Sequence, residues 1–262
     1  MKRALTALAL IPLVTWVVLW ANFWIFLAVL SAVACLCYRE YNQIAAAYGF
    51  GAPGVVGYGA GLLLLVWRNE TWAPPWFLIV AIAAIALVLV LRMKDLTKSL
   101  PRAALLLMGI VYIFGCWKCA IPIREYFHSR HWLMYALLLN WAGDIGAYYI
   151  GRPFGKHKLA PEVSPKKSWE GGIASVVASV LVAGAYLLYF VPGVAPGQAV
   201  GLTVAANIAG QLGDLAESAL KRGAGVKDSG AILPGHGGFL DRVDSTLFAL
   251  PVVYGYLNLV AR

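Results

Sequence analysis

Long apolar runs alternate with short polar breaks along this chain, and most runs approach the length that crosses a bilayer as a helix, about 20 residues. They stand at residues 5–20, 21–37, 54–67, 76–92, 103–122, 131–150, 170–191, 196–219 and 244–260. The third is short and rich in glycine, so a count of eight stays open beside nine. The pattern predicts an all-α polytopic membrane protein of about nine transmembrane helices, forming a single membrane domain over residues 1–262. Polar residues are spread unevenly between the runs. Residues 1–130 read as hydrophobic scaffold, with stretches such as LLLLVW and IVAIAAIALVLVL, whereas residues 131–262 hold the chemistry. Of the 12 acids, all but four follow residue 140: Asp144, Glu162, Glu170, Asp214, Glu217, Asp228, Asp241 and Asp244.

Composition strengthens this picture. The chain is 61% hydrophobic and 13% charged, where a soluble domain is about half apolar and a quarter charged. The opening MKRALTALALIPLVTWVVLW resembles a signal peptide, but its apolar region is long and no small-residue cleavage site follows it. Lys2 and Arg3 are expected to anchor the first helix on the cytoplasmic side. With the N-terminus inside, only Arg68, Lys118, Arg124, Arg130 and Arg262 of the 21 Lys and Arg fall on or near the outer side. That asymmetry predicts a cytoplasmic N-terminus and an outer C-terminus. The polar site then faces the cytoplasm from a bacterial inner membrane. A basic inner face attracts anionic lipid and nucleotides, so the net charge of +9 needs no nucleic-acid partner. The 4 cysteines, including CWKC at Cys116–Cys119, lack the further ligands or setting of a metal or redox motif.

The scarce charges gather in SALKRGAGVKDSGAILPGHGGFLDRVD, Ser218–Asp244. Just before and into it, Asp214, Glu217, Ser218, Lys221 and Arg222 keep the spacing of one helical face. Ala205, Ala206, Ala209, Gly210 and Gly213 are small and leave room for close helix approach. Carboxylates at membrane depth are costly and mark function by default; the plainer alternative is that Asp214, Glu217 and Lys221 only satisfy one another. Gly235, Gly237 and Gly238 around His236 let backbone amides approach an anion. Asp241 and Asp244, three apart, are expected to open the last helix on a common face. With Asp214 and Asp228 they would supply hard oxygens of the kind Mg2+ takes. Lys221, Arg222, Lys227 and Arg242 would neutralise phosphates. Metal, acids and bases together suggest phosphoryl or nucleotidyl transfer.

Upstream, Ser164, Lys166, Lys167 and Ser168 lie just ahead of a helix expected to begin near Trp169, an arrangement that suits a polyphosphate. Glu170 falls in that helix's first turn, either compensating the dipole or organising a ligand. A basic loop obeying the positive-inside rule is the plain alternative. Asp144, at mid-helix, reads as a further metal ligand or, more simply, as support for a Lys or Arg. His236 is open between acid–base work and a structural or phosphate contact.

Ser218–Asp244 closely resembles the signature of phosphatidate cytidylyltransferases (CDP-diacylglycerol synthases): S-x-Φ-K-R, four residues, K-D, then H-G-G-Φ-x-D-R-Φ-D, with Φ apolar. Ser218, Lys221, Arg222, Lys227, Asp228, His236, Gly237, Gly238, Asp241, Arg242 and Asp244 fill its fixed positions. A second block, DIGAYYIGRPFGKHKLAPEVSPKKSWEG at Asp144–Gly171, is similar to that family's other segments, with mild departures at Ile145 and Ser168. The likeness is strong over residues 140–245 and rests on hydropathy alone before them. It implies that CTP and phosphatidic acid give CDP-diacylglycerol and pyrophosphate, with Mg2+ held by Asp214 and Asp241 and a second, monovalent cation such as K+ near the same acids. It also implies a homodimer. Two rivals stay in view: an ion-coupled transporter, since buried carboxylates also mark translocation paths, and an enzyme using CTP on a different membrane lipid.

Overall fold

A computed structural model describes residues 2–50, 54–67, 75–90, 95–125, 127, 129–232 and 237–260. Among them, nine helices follow the nine apolar runs: α1 (Lys2–Leu19), α2 (Phe23–Ala47), α3 (Gly54–Val66), α4 (Pro75–Val90), α5 (Leu96–Glu125), α6 (His131–Phe154), α7 (Trp169–Phe190), α8 (Pro196–Gly223) and α9 (Asp244–Val260). Helices α2, α5 and α7 are long and apolar enough to cross a membrane, and Leu10–Leu19, Gly54–Val66 and Ile79–Leu89 are shorter apolar helices. Helices α6 and α8 have the length, but they also carry polar residues of the site. Large apolar side chains such as Trp24, Leu87, Leu181 and Tyr189 stand exposed. In a chain of this composition, such outward faces are the surface that meets lipid acyl chains.

Three differences from the sequence reading have physical causes. Helix α2 runs on to Ala47 because Arg39, Glu40 and Asn42, which look like the end of a span, are carried inside one continuous helix. Residues between α6 and α7 are not all helix or loop. They form an antiparallel hairpin, β1 (Lys158–Ala160) with β2 (Ser164–Ser168), pairing Lys158 with Ser168 and Ala160 with Ser164. Pro161 and Pro165 disfavour a helix there, and outside the apolar runs strand pairing satisfies the backbone. Third, α5 and α7 each contain a π-helical stretch, Ile110–Gly115 and Val180–Gly184, which shifts the faces beyond it.

The core packs Tyr38 of α2, Phe114 of α5, Leu139 of α6, Leu187 of α7 and Leu247 of α9, all fully buried. Arg124, 2% exposed, reaches across the bundle and donates from Nε to Val18 O at 2.8 Å, at the end of α1. Arg130 donates to Leu19 O at 3.0 Å. Together they satisfy carbonyls that a helix C-terminus leaves open.

Candidate active site

Close helix contacts bring the polar residues together. Helices α6 and α7 touch almost backbone to backbone: a Cβ on Gly151 would lie 3.0 Å from Gly171 Cα, and one on Gly146 2.7 Å from Ala174 O. Helices α8 and α9 meet at the glycines singled out in the sequence. A Cβ on Gly213 would lie 2.8 Å from Asp244 O, and one on Gly210 3.3 Å from Ser245 O. These approaches set Asp144, Asp214 and Asp244, from three different helices, within electrostatic reach of one another. A polar ladder stands behind them. Gln211 Nε2 donates to Asn207 Oδ1 at 2.6 Å and to Gly172 O at 3.1 Å; Asn207 Nδ2 donates to Ser175 Oγ and Ser179 Oγ at 3.0 and 2.8 Å. The ladder was not singled out in the sequence, although two amide side chains within an apolar helix were the available signal.

Between α6, the hairpin, α7 and α8 opens a cavity of 680 Å³, lined among others by Asp144, Arg152, Lys158, Lys166, Lys167 and Asp214. Four cations thus face two carboxylates around a space of nucleotide size. Lys167 Nζ lies 2.5 Å from Asp214 Oδ2. Ser218 Oγ is 3.4 Å from the other oxygen of Asp214. The hairpin presents Ser164, Lys166 and Lys167 on β2. Ser168 is the N-cap of α7, accepting from Gly171 N at 3.2 Å, so its hydroxyl fixes the start of the helix as well as lining the cavity. Glu170 accepts from His157 N at 3.2 Å and faces His157 Nδ1 at 2.7 Å, tying the turn after α6 to the first turn of α7.

A second cluster sits beside the first. Lys221, 7% exposed, donates to Glu217 Oε2 at 2.5 Å and to Asp241 Oδ1. Asp241 also accepts from Ser229 N at 3.1 Å and from Gly238 N at 2.9 Å. Burial pushes the Asp241 carboxyl up, yet the Lys221 ammonium and these two amides outweigh it and hold the group below its ordinary range. Asp241 and Asp244 do not share a helical face, contrary to the sequence expectation. Asp241 belongs to a separate 3₁₀ turn, Leu240–Arg242, and α9 begins only at Asp244. The amides of Ser229 and Gly238 bind Asp241 into the loop, while Asp244 lies within electrostatic reach of Asp214, Glu217 and Asp144. Gly237, at φ +78°, makes the turn, and a Cβ there would lie 3.4 Å from Asp228 Oδ1.

The remaining expected residues ring these clusters. Arg222 is exposed at the end of α8 and donates to Val163 O at 3.3 Å and Val226 O at 3.2 Å, tying the helix to the hairpin. Lys227 and Asp228 are exposed in the following loop. Arg242 is exposed and acts electrostatically on Asp144. His236 lies outside the described residues. Among the described residues no group of three or more His, Cys, Asp or Glu stands in ready ligand geometry. Mg2+ usually keeps several waters and bridges to substrate phosphates, so one or two carboxylates from the Asp144, Asp214 and Asp244 set still match its chemistry.

Sequence reasoning missed Glu40. It is fully buried in α2, in the half read as scaffold, and its Oε2 accepts from Ser229 Oγ at 3.0 Å and Leu240 N at 2.7 Å. In the sequence it stands beside Arg39 just past the second apolar run, where it looks like the polar end of a span, so only its place on the continuation of that helix could have pointed to it.

Comparison with known proteins places the chain in a family. A family model described as "Cytidylyltransferase family" matches residues 1–260. The chain is 38% identical over 211 residues, 77% of each chain, to a Staphylococcus aureus (strain COL) protein named phosphatidate cytidylyltransferase. A Bacillus subtilis (strain 168) protein of the same name is 36% identical over 217 residues, 79% of each chain. Another, from Staphylococcus haemolyticus (strain JCSC1435), is 42% identical over 159 residues, 59% of each.

Proposed function

Because this chain belongs to the cytidylyltransferase family, we propose that it transfers the cytidylyl group of CTP to phosphatidic acid, giving CDP-diacylglycerol and pyrophosphate. Relatives named phosphatidate cytidylyltransferase, similar over more than three quarters of their length, support that acceptor. The observation that carries the reading is the 680 Å³ cavity, in which Arg152, Lys158, Lys166 and Lys167 face Asp144 and Asp214.

A lipid phosphate monoester has a second pKa near 6 and is largely dianionic at neutral pH, so attack needs no strong general base. One of its oxygens forms a bond to the α-phosphorus of CTP, the bond from that phosphorus to the β-phosphate oxygen breaks, and pyrophosphate leaves with the electron pair. The obstacle is anion–anion repulsion, which cations relieve. Lys166 and Lys167 hold the triphosphate, with Arg152 and Lys158 beside them in the cavity. Lys221 and Arg222, at the end of α8, receive the lipid phosphate at headgroup depth, with Lys227 and Arg242 nearby in the sequence. Bound Mg2+ would add Lewis-acid neutralisation of the phosphate oxygens. Its hard oxygens would come from Asp214 with Asp144 and Asp244, while Asp241 keeps Lys221. A monovalent cation beside these acids belongs to the same proposal, supported by three neighbouring carboxylates for which Lys167 is the close lysine.

Nine spans with a cytoplasmic N-terminus, in a bacterial inner membrane, would open this cavity to cytoplasmic CTP; the distribution of Lys and Arg supports that orientation. The deciding experiment supplies purified protein with [α-³²P]CTP and phosphatidic acid in mixed micelles. Label should enter the organic phase as one pyrophosphate is released per lipid. Label that enters only with a different lipid acceptor would redirect the reading to that lipid.

A further inference from the structure

We infer that Glu40 is a positioning residue of the active site: from α2 it grips both arms of the loop between α8 and α9, and so holds Asp241 and Lys221 in place for the lipid phosphate. The inference rests on the proposed reading of Lys221 as a lipid-phosphate ligand.

A fully buried carboxylate in an apolar helix is not needed to pack a bundle, since a leucine fills similar volume without desolvating a polar group. Glu40 is spent on the loop instead. Ser229 is the hinge: its hydroxyl donates to Glu40 Oε2 and its amide donates to Asp241. Leu240 donates its amide to the same Oε2 at 2.7 Å, and the next residue is Asp241. Asp241 in turn accepts from Lys221. Glu40 therefore reaches Lys221 through three hydrogen bonds by way of Ser229, or through two by way of Leu240 and its peptide link to Asp241.

The glycines agree. A Cβ on Gly230 would lie 2.6 Å from Glu40 Oε1, and one on Gly238 would lie 2.7 Å from Glu40 Oε2 and 1.9 Å from Ser229 Oγ. The loop thus has no Cβ at the two positions, Gly230 and Gly238, where its backbone presses on this carboxylate. Oε1 is buried and has no hydrogen-bond partner among the described residues, a penalty that packing alone gives no reason to keep.

The test compares Glu40→Ala, which removes both acceptors, with Glu40→Gln, which keeps one oxygen for Ser229 and Leu240. In full-length protein, Glu40→Ala should lower kcat/KM for phosphatidic acid about tenfold to a hundredfold and leave KM for CTP within about twofold. Amide hydrogen exchange at Ser229 and Leu240 should quicken. Glu40→Gln should restore most of both. If Glu40→Ala does not accumulate, Ser229→Ala removes one of the two bonds and should show the same pattern at the lower end. Unchanged exchange at both amides overturns the grip, as does an equal loss against both substrates. Quickened exchange with normal kinetics overturns the positioning role, and Lys221→Ala locates the fault. If folded Lys221→Ala keeps the parental KM for phosphatidic acid, the reading of Lys221 as a phosphate ligand has failed; if that KM rises while the KM for CTP does not, Glu40 alone was misassigned.

Discussion

Removing the Lys167 ammonium separates nucleotide binding from folding. In the free protein it stands 2.5 Å from Asp214, with side chains 26% and 32% exposed. A pair that open to solvent is screened, and contributes about 0–1 kcal/mol to stability. Against a triphosphate, the same ammonium makes a charge-assisted contact worth about 1.5–3 kcal/mol, or roughly tenfold to a hundredfold in affinity. Lys167→Ala should therefore melt close to the parent while its apparent KM for CTP rises at least about tenfold. The KM for phosphatidic acid should move much less. Arg222→Ala, at the far end of α8, should do the reverse. Initial rates of label transfer from CTP into lipid, with one substrate varied and the other saturating, read both effects. Equal rises for the two substrates in either variant would mean a single anion pocket shared by both, and the division of ligands would be wrong. A large loss of stability in Lys167→Ala would show that its pair with Asp214 is architectural.

Three further expectations follow from the clusters. Asp214→Asn and Asp244→Asn should each lower turnover at least about a hundredfold, because charge stabilisation by a metal is worth several kcal/mol; near-parental rates at saturating Mg2+ in either would remove that residue from the metal site. Lys221→Met strands Glu217 and Asp241, 0% and 11% exposed, without their cation. It should destabilise the fold by about 3–5 kcal/mol, seen as a lower melting temperature that adding Glu217→Gln partly restores; an unshifted melt would show that water already screens the cluster. For orientation, Gly155 and Gly225 are poor cysteine sites, since a Cβ at Gly155 would lie 2.3 Å from Gly151 O and Gly225 has φ +72°. Glu162, exposed between the two strands, serves better. On a background without the native cysteines, Glu162→Cys should resist an impermeant thiol reagent in intact cells and react in inverted vesicles, whereas labelling in intact cells would reverse the topology.

Apolar runs of lipid length are a strong signal, and every run in the sequence coincides with a helix. Ends were weaker, because a polar residue can stay helical once a bundle covers it, as Glu40 does in α2. The hairpin at residues 158–168 escaped notice since two short strands leave no usable period, and the basic loop signal hid them. At the site, helical spacing brought out Asp214, Glu217 and Lys221, and the small residues of that helix signalled a close helix approach without saying that α9 makes it. Pairing was not legible. Lys167 meets Asp214 across the fold, and Lys221 chooses Asp241 as well as its own helical neighbour Glu217, choices set by helix approach and loop closure. Asp241 and Asp244, three apart, look like one helical face, yet a 3₁₀ turn divides them between two clusters.

The bond from Leu240 N to Glu40 joins residues 200 positions apart. Chains emerge from the ribosome at roughly 5–20 residues per second, so roughly 10–40 seconds separate the synthesis of the two partners. Throughout that interval Glu40 waits inside a helix already committed to the bilayer, its carboxylate facing no loop. A nascent or truncated chain that ends before Ser229 therefore carries Glu40 with neither of its two donors, and one that ends before Leu240 has only the hydroxyl of Ser229 to offer it. Membrane quality control would have a chemical mark by which to tell an unfinished molecule from a finished one.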